Sequence, residues 1–189
     1  MLFDGNKNQP YFLEYKIELG IMAENVLIIA EIGVNHNGDM QTAKELIKQA
    51  AIAGANIVKL QTFKADLCIS QNTPLAEYQK KNVTSLENQL EMVAELELTE
   101  SNHIELIETA TEHGVKIFST AFDLESLNFL SQFNFEFIKI PSGEITNLPL
   151  IRMIAKQNKK VILSTGMCSL GDVERSIDTL ELNGLSREN

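Results

Sequence analysis

Two lysines stand inside short aliphatic runs, Lys59 in Ile57-Val58-Lys59-Leu60 and Lys139 in Phe137-Ile138-Lys139-Ile140. A lysine within such a strand is rarely buried unless it is paired or functional. Three chemistries suit it. It can pair with a carboxylate, for which Glu31 and Glu144 are available. It can serve as an amine that forms a Schiff base. It can also act as a cationic seat for a phosphate or carboxylate. Two such lysines on neighbouring strands favour the seat, because a ligand with two or three negative charges can use both. Glu31 lies in the first apolar run, and Glu144 follows the turn Pro141-Ser142-Gly143. Either carboxylate can hold a lysine, act as a general base or bind a metal-bound water. Gln61, Thr120 and Ser142 add hydrogen-bonding groups near strand ends. Asn35-His36-Asn37-Gly38 reads as turn chemistry before His36 reads as a metal ligand. His103 and His113 are expected on the solvent side of a helix. HExxH, paired CxxC and Walker patterns are absent from the sequence, and with them the simplest metal and nucleotide signatures.

These residues need a frame that brings them together. Five runs rich in apolar and β-branched residues, at 26–34, 56–64, 116–122, 137–142 and 160–166, alternate with stretches of helical period. Ala43, Leu46, Ile47, Ala50 and Ala51 recur at helical spacing, with Gly54 as a stop. Ile104, Ile107 and Ala110 repeat the pattern before Gly114. Asp123, Asn147 and Ser169 are each placed to cap a following helix, over Leu127/Leu130, Leu150/Ile154 and Val173/Ile177/Leu180. The long connection from 64 to 99 leaves room for a loop and an extra helix around 86–96. Strand and helix alternating in this way predict βαβ units on a parallel sheet.

Strands of a parallel sheet covered on both faces normally read as unbroken apolar runs. Here Ile28, Ala30 and Ile32 share one face while Ile29 and Glu31 share the other. Val58 and Leu60 likewise oppose Lys59 and Gln61, and Ile138 and Ile140 oppose Lys139. One face of each strand suits a helix layer, and the other carries a polar group toward the strand's C-terminal half. A β/α barrel accounts for this, since its catalytic groups project from strand ends into the C-terminal mouth.

Composition bounds the remainder. The 189 residues fit one domain with an appendage, and 44% apolar with 22% charged residues is ordinary for a globular chain. A net charge of −10 argues against nucleic acid as a partner, because that requires a basic stripe. It leaves room for an anionic small molecule in a locally positive pocket. Cys68 and Cys168 are too few for a disulfide framework and point to a reducing, cytoplasmic setting. No apolar run approaches the ~20 residues that cross a bilayer, so no membrane role is expected. Residues 1–25 show neither period and read as an N-terminal extension, with 26–189 as the folded domain. Met22 is an alternative start.

Five ordered motifs carry a resemblance. They are Ile28-Ile29-Ala30-Glu31-Ile32-Gly33-Val34-Asn35-His36-Asn37-Gly38-Asp39, Val58-Lys59-Leu60-Gln61-Thr62-Phe63-Lys64, Phe118-Ser119-Thr120-Ala121-Phe122-Asp123, Phe137-Ile138-Lys139-Ile140-Pro141-Ser142-Gly143-Glu144 and Leu163-Ser164-Thr165-Gly166-Met167. Together they resemble the sialic acid synthases, the bacterial N-acetylneuraminate synthase family, from about residue 26 to the last helix. The resemblance implies an α/β fold of the (β/α)8 TIM-barrel type. It also implies condensation of phosphoenolpyruvate with N-acetylmannosamine or a related N-acyl hexosamine, with release of phosphate. It implies that Lys59, Lys139, Thr120 and Ser142 hold phosphoenolpyruvate and that Gln61 faces the sugar. Glu31 and Glu144 then serve the chemistry near the metal and the reacting hydroxyl. A divalent cation, Mn2+ or Mg2+, polarises the open-chain aldehyde in such enzymes, and the lysines stay charged as electrostatic clamps.

The chain departs from the family in extent. A full barrel takes about 250 residues, whereas five strand–helix units are visible here. The later motifs, including the segments expected to supply the metal-binding histidines, are not among these residues. Nor is the small antifreeze-like domain through which the family forms homodimers. Two other readings therefore stand beside the synthase. One is a half-barrel, inactive or requiring a partner. The other is a Schiff-base aldolase using Lys59 or Lys139.

Overall fold

The computed structural model describes residues 26–71, 73–74 and 88–189. The N-terminal extension at 1–25 lies outside the described residues. Strand β1 (Ile29–Gly33) leads through a tight turn into helix α1 (Met40–Ile52), then β2 (Ile57–Thr62). Two short helices, α2 (Ala65–Cys68) and α3 (Gln89–Ala94), fall in the long connection where an extra helix was expected. They are followed by α4 (Glu100–Glu112), β3 (Lys116–Ala121), α5 (Leu124–Leu130) and β4 (Phe137–Ile140). A 3-10 turn over Ser142–Glu144 precedes α6 (Leu148–Ala155), β5 (Lys160–Leu163) and α7 (Leu170–Leu182).

All strand pairs are parallel. The strands β1, β2 and β3 hydrogen-bond in that order, and β4 pairs with β5. The strand β4 runs beside β3 without a continuous ladder. Register sets the site: Glu31 lies opposite Lys59, and Gln61 opposite Thr120. The β1–β2 pairing slips between Glu31 and Gly33.

The expected alternation holds in the packing. Ile32, Val58 and Leu60 turn outward and are buried with Ala43 and Ile47 of α1 and Leu106 and Ala110 of α4. Ile138 and Ile140 are buried with Leu127 and Leu130 of α5, Leu150, Ile151 and Ile154 of α6, and Leu180 of α7. These helices begin on side-chain caps that satisfy otherwise orphaned N–H groups. Asp39, Asp123 and Asn147 accept from Gln41, Ser126 and Leu150 respectively, while Thr99 and Ser169 form reciprocal capping boxes.

Two expectations need correcting. His103 is fully buried rather than solvent-facing, although His113 is exposed as expected. The buried stripe of α4 runs through His103, Leu106, Thr109 and Ala110, and Ile104 is exposed. The cause is polar: His103 finds hydrogen-bond partners inside, so the helix turns that face inward. On α7 the inward positions are Ser176, Thr179 and Leu180, with Ile177 on the rim. Met167, which closes the fifth motif, is fully exposed in a turn with φ +59°.

Candidate active site

The C-terminal ends of the strands gather the polar residues singled out in the sequence. Lys59 points to the face opposite the helices and is buried, with 4% of its surface exposed. Its Nζ lies 2.9 Å from Glu31 Oε2 and donates to Thr120 Oγ1 at 3.3 Å. Thr120 is fully buried, whereas the Glu31 side chain is more than half exposed. A buried ammonium thus has one fixed neutral partner and one anionic partner that solvent can reach. An incoming anion can compete for such a cation, because the exposed carboxylate recovers its hydration on leaving.

Lys139, half-buried on β4, is not on a strand next to β2 as expected, because β3 runs between them, yet it sits near enough to feel both members of that pair. Burial lowers its pKa from the ordinary lysine value, Glu31 opposes that shift, and the Lys59 charge reinforces it. The two lysines therefore repel one another across a site in which Glu31 acts on both. A ligand bearing two or more negative charges relieves this repulsion.

The turn after β4 carries the next groups. Ser142 Oγ faces Gly166, where a Cβ would come within 3.5 Å of that oxygen, and the Ser142 carbonyl accepts from Cys168 Sγ at 3.7 Å. Glu144 is not placed as an ion-pair partner of Lys139. Its Oε2 accepts from Asn147 Nδ2 at 2.7 Å, and Asn147 in turn caps α6. A cavity of about 470 Å³ opens beside it, with Gln61, Glu144 and Asn147 on its polar side. Phe63, Met92, Val93 and Phe122 supply much of its apolar wall.

Of the seven predicted site residues, Lys59, Glu31, Thr120 and Lys139 form one cluster, and Gln61 and Glu144 line the adjoining cavity. Ser142 stands on the turn between β4 and α6, held close to the exit of β5. Two groups were not foreseen at the mouth. Asp123 was read as a cap alone, yet it is buried and also accepts from the Lys64 backbone N–H at 2.9 Å, tying the exits of β2 and β3. Cys68 lines the cavity, and burial first, then the Asp123 and Glu144 charges, pushes its thiol up to about 11. His36 is buried in the turn after β1. Its Nδ1 accepts from the Gly38 N–H at 3.0 Å, and its Nε2 has no partner among the described residues. Among the described residues no three His, Cys, Asp or Glu side chains converge to hold a metal ion.

The NeuB family profile matches residues 46–188. The chain belongs to the NeuB family. Curated relatives include the N,N'-diacetyllegionaminic acid synthases of Campylobacter jejuni, 51% identical over 88% of this chain and 50% of that protein, and of Legionella pneumophila, 48% identical over 82% and 43%. The N-acetylneuraminic acid synthetase of Leptospira borgpetersenii superposes with a TM-score of 0.72 at 30% identity, covering 84% of this chain and 50% of that one. The five strand–helix units are thus part of a β/α barrel of the NeuB type, and these NeuB relatives are sugar-acid synthases. The chain spans about half the length of the curated relatives it matches. No helix among the described residues is long and apolar enough to cross a membrane.

Proposed function

We propose that this chain supplies the phosphoenolpyruvate-binding half of a sugar-acid synthase mouth. The observation that carries the reading is the buried Lys59, bonded to Thr120 and to an exposed Glu31, with a second desolvated lysine beside it. Lys59 and Lys139 clamp the anionic groups of phosphoenolpyruvate, and Thr120 and Ser142 complete the seat with hydroxyl groups. Gln61 and Glu144 face the sugar from the adjoining cavity. In the reaction, C3 of the enol attacks the open-chain aldehyde, whose oxygen takes a proton. Water adds to the oxocarbenium carbon that forms, and phosphate leaves from the tetrahedral adduct. Preorganised positive charge favours the last step, because negative charge grows on the phosphate as it departs. Glu31 and Glu144 are the carboxylates that move protons in this reading.

The family uses a divalent cation, Mn2+ or Mg2+, but the described residues do not make a donor set for one. Its ligands, like the dimerising antifreeze-like domain, are proposed to come from the remainder of the family's architecture. The relatives' names point to the sugar: the acceptor proposed here is the N-acyl hexosamine that yields N,N'-diacetyllegionaminic acid, with N-acetylmannosamine as the alternative.

Phosphate release from phosphoenolpyruvate tests the reading, using a protein that spans the full length of the relatives and each sugar in turn. The expected result is release that depends on the diacetamido sugar. Release without sugar, or none with any acceptor, would overturn it. One observation favours a second reading: the lowered pKa of Lys139 is what a Schiff-base amine requires. Borohydride trapping with pyruvate separates the two, and an untrapped Lys139 leaves the condensing synthase.

A further inference from the structure

Behind the mouth, on the helix side of the sheet, lies a buried polar chain that the proposed reaction does not use. His103 of α4 has no exposed surface. Its Nδ1 is 2.8 Å from the Thr99 carbonyl oxygen, which can only accept, so Nδ1 carries the proton. In the neutral ring Nε2 is then an acceptor, and Thr62 Oγ1, at 2.8 Å, donates to it. Thr62 has thereby used its one proton, so Ser119 Oγ must donate to Thr62 at 2.6 Å. The direction of every bond follows from the first.

The two hydroxyls sit on the strands that build the mouth. Thr62 ends β2 and Ser119 lies in β3, each one residue from Gln61 and Thr120, which project to the opposite face. The imidazole is walled by Phe129, edge-on with centroids 5.0 Å apart, and Phe133, stacked at 6.1 Å. Neither carries charge. The charged group acting on His103 is Lys64 at the exit of β2, itself paired with Glu97 at 3.2 Å. Burial and Lys64 both disfavour a proton on the ring, and only the Thr99 bond opposes them.

We infer that His103 is a positioning residue: its neutral ring, acting through Thr62 and Ser119, pins the C-terminal halves of β2 and β3 and so fixes Gln61 and Thr120 in the mouth. A proton on Nε2 would turn that atom into a donor and force Thr62 to accept from it. The Thr62 proton would then lose its acceptor, and could regain one only by turning to Ser119 Oγ and displacing the Ser119 proton from its bond. The fold therefore carries an acid-sensitive latch behind its site.

The test uses the full 189-residue chain. Nitrogen-15 NMR of the ring should show Nδ1 protonated and Nε2 bare at pH 7, with no titration at the ordinary histidine value. Amide exchange at Gln61, Thr62, Ser119 and Thr120 should lose about fivefold in protection between pH 6.5 and 5.5, as one proton enters the opened state. In His103→Gln, whose amide oxygen can accept from Thr62, protection should persist while its pH dependence flattens. A ring that titrates near 6.5, or the reverse tautomer, would overturn the inference. So would unchanged pH dependence in His103→Gln, which would assign the effect to His36, the other buried histidine. Should the variant not fold, the wild-type ring nitrogens decide alone.

Discussion

At the scale of single residues, the central feature is an asymmetric ion pair. Lys59 is buried and Glu31 is mostly in water, so the carboxylate neutralises the lysine without being trapped by it. Replacing both charges of a buried pair is often neutral, and an exposed partner lowers the cost of removing only one. Lys59→Met should therefore change the urea-unfolding free energy by no more than about 1 kcal/mol. A loss of several kcal/mol would mean that the pair is chiefly structural. The lysines were legible in the sequence because charge inside an aliphatic strand conflicts with burial unless something anionic meets it. Their pairing was not. Glu144 was an equal candidate for Lys139, and only the backbone after Pro141, which brings Asn147 to Glu144, sends that carboxylate toward the cavity instead.

At the scale of elements, local chemistry fixed most of the frame. Parallel strands, outward aliphatic faces and the caps at Asp123, Asn147 and Ser169 were all readable from spacing, and the structure bears them out. The face of α4 was not, because Ile104 and Ile107 fit an apolar stripe as well as Leu106 and Ala110 do. What decides is the partner chemistry waiting for His103 on β2 and β3, which local periodicity does not contain. Asp123 joins two element ends, accepting from Ser126 N–H, Ser126 Oγ and Lys64 N–H. Asp123→Ala should cost about 2 kcal/mol or more of stability, beyond an ordinary cap, since buried donors lose their acceptor. Denaturant midpoints at constant m-value would check this. Gly38 has φ +77°, and a Cβ there would lie 2.7 Å from the Glu95 backbone oxygen of the α3 C-terminus. Gly38→Ala should cost at least about 1–2 kcal/mol, the penalty of a left-handed L-residue alone. A silent substitution would mean that the β1–α1 turn is not clamped against α3.

At the scale of the whole molecule, the array carries apolar surface at both ends. Val26, Leu27 and Ile28 are exposed beside β1, and Met167, Leu170 and Leu182 around α7. A barrel places neighbouring strand–helix units against such surfaces, in keeping with the length of the relatives. Stability should also respond to pH. His36 and His103 both have pKa values lowered by burial, so the unfolded chain takes up protons near 6.5 while the folded chain resists them. Their contribution is complete above pH 6.5 and is lost as pH falls toward the lowered folded values. Urea midpoints should therefore decline between pH 6.5 and 5.5, ahead of the carboxylates. A flat profile would show that both rings reach solvent.

Calorimetric titration of phosphoenolpyruvate into this chain and into its Lys59→Ala variant measures the anion seat itself. The parent should bind saturably and the variant about 10- to 100-fold more weakly, the loss of one hydrogen bond to a charged group at roughly 1.5–3 kcal/mol. Equal affinity in the two proteins, or no binding by a parent chain shown to be folded, would contradict a seat at Lys59.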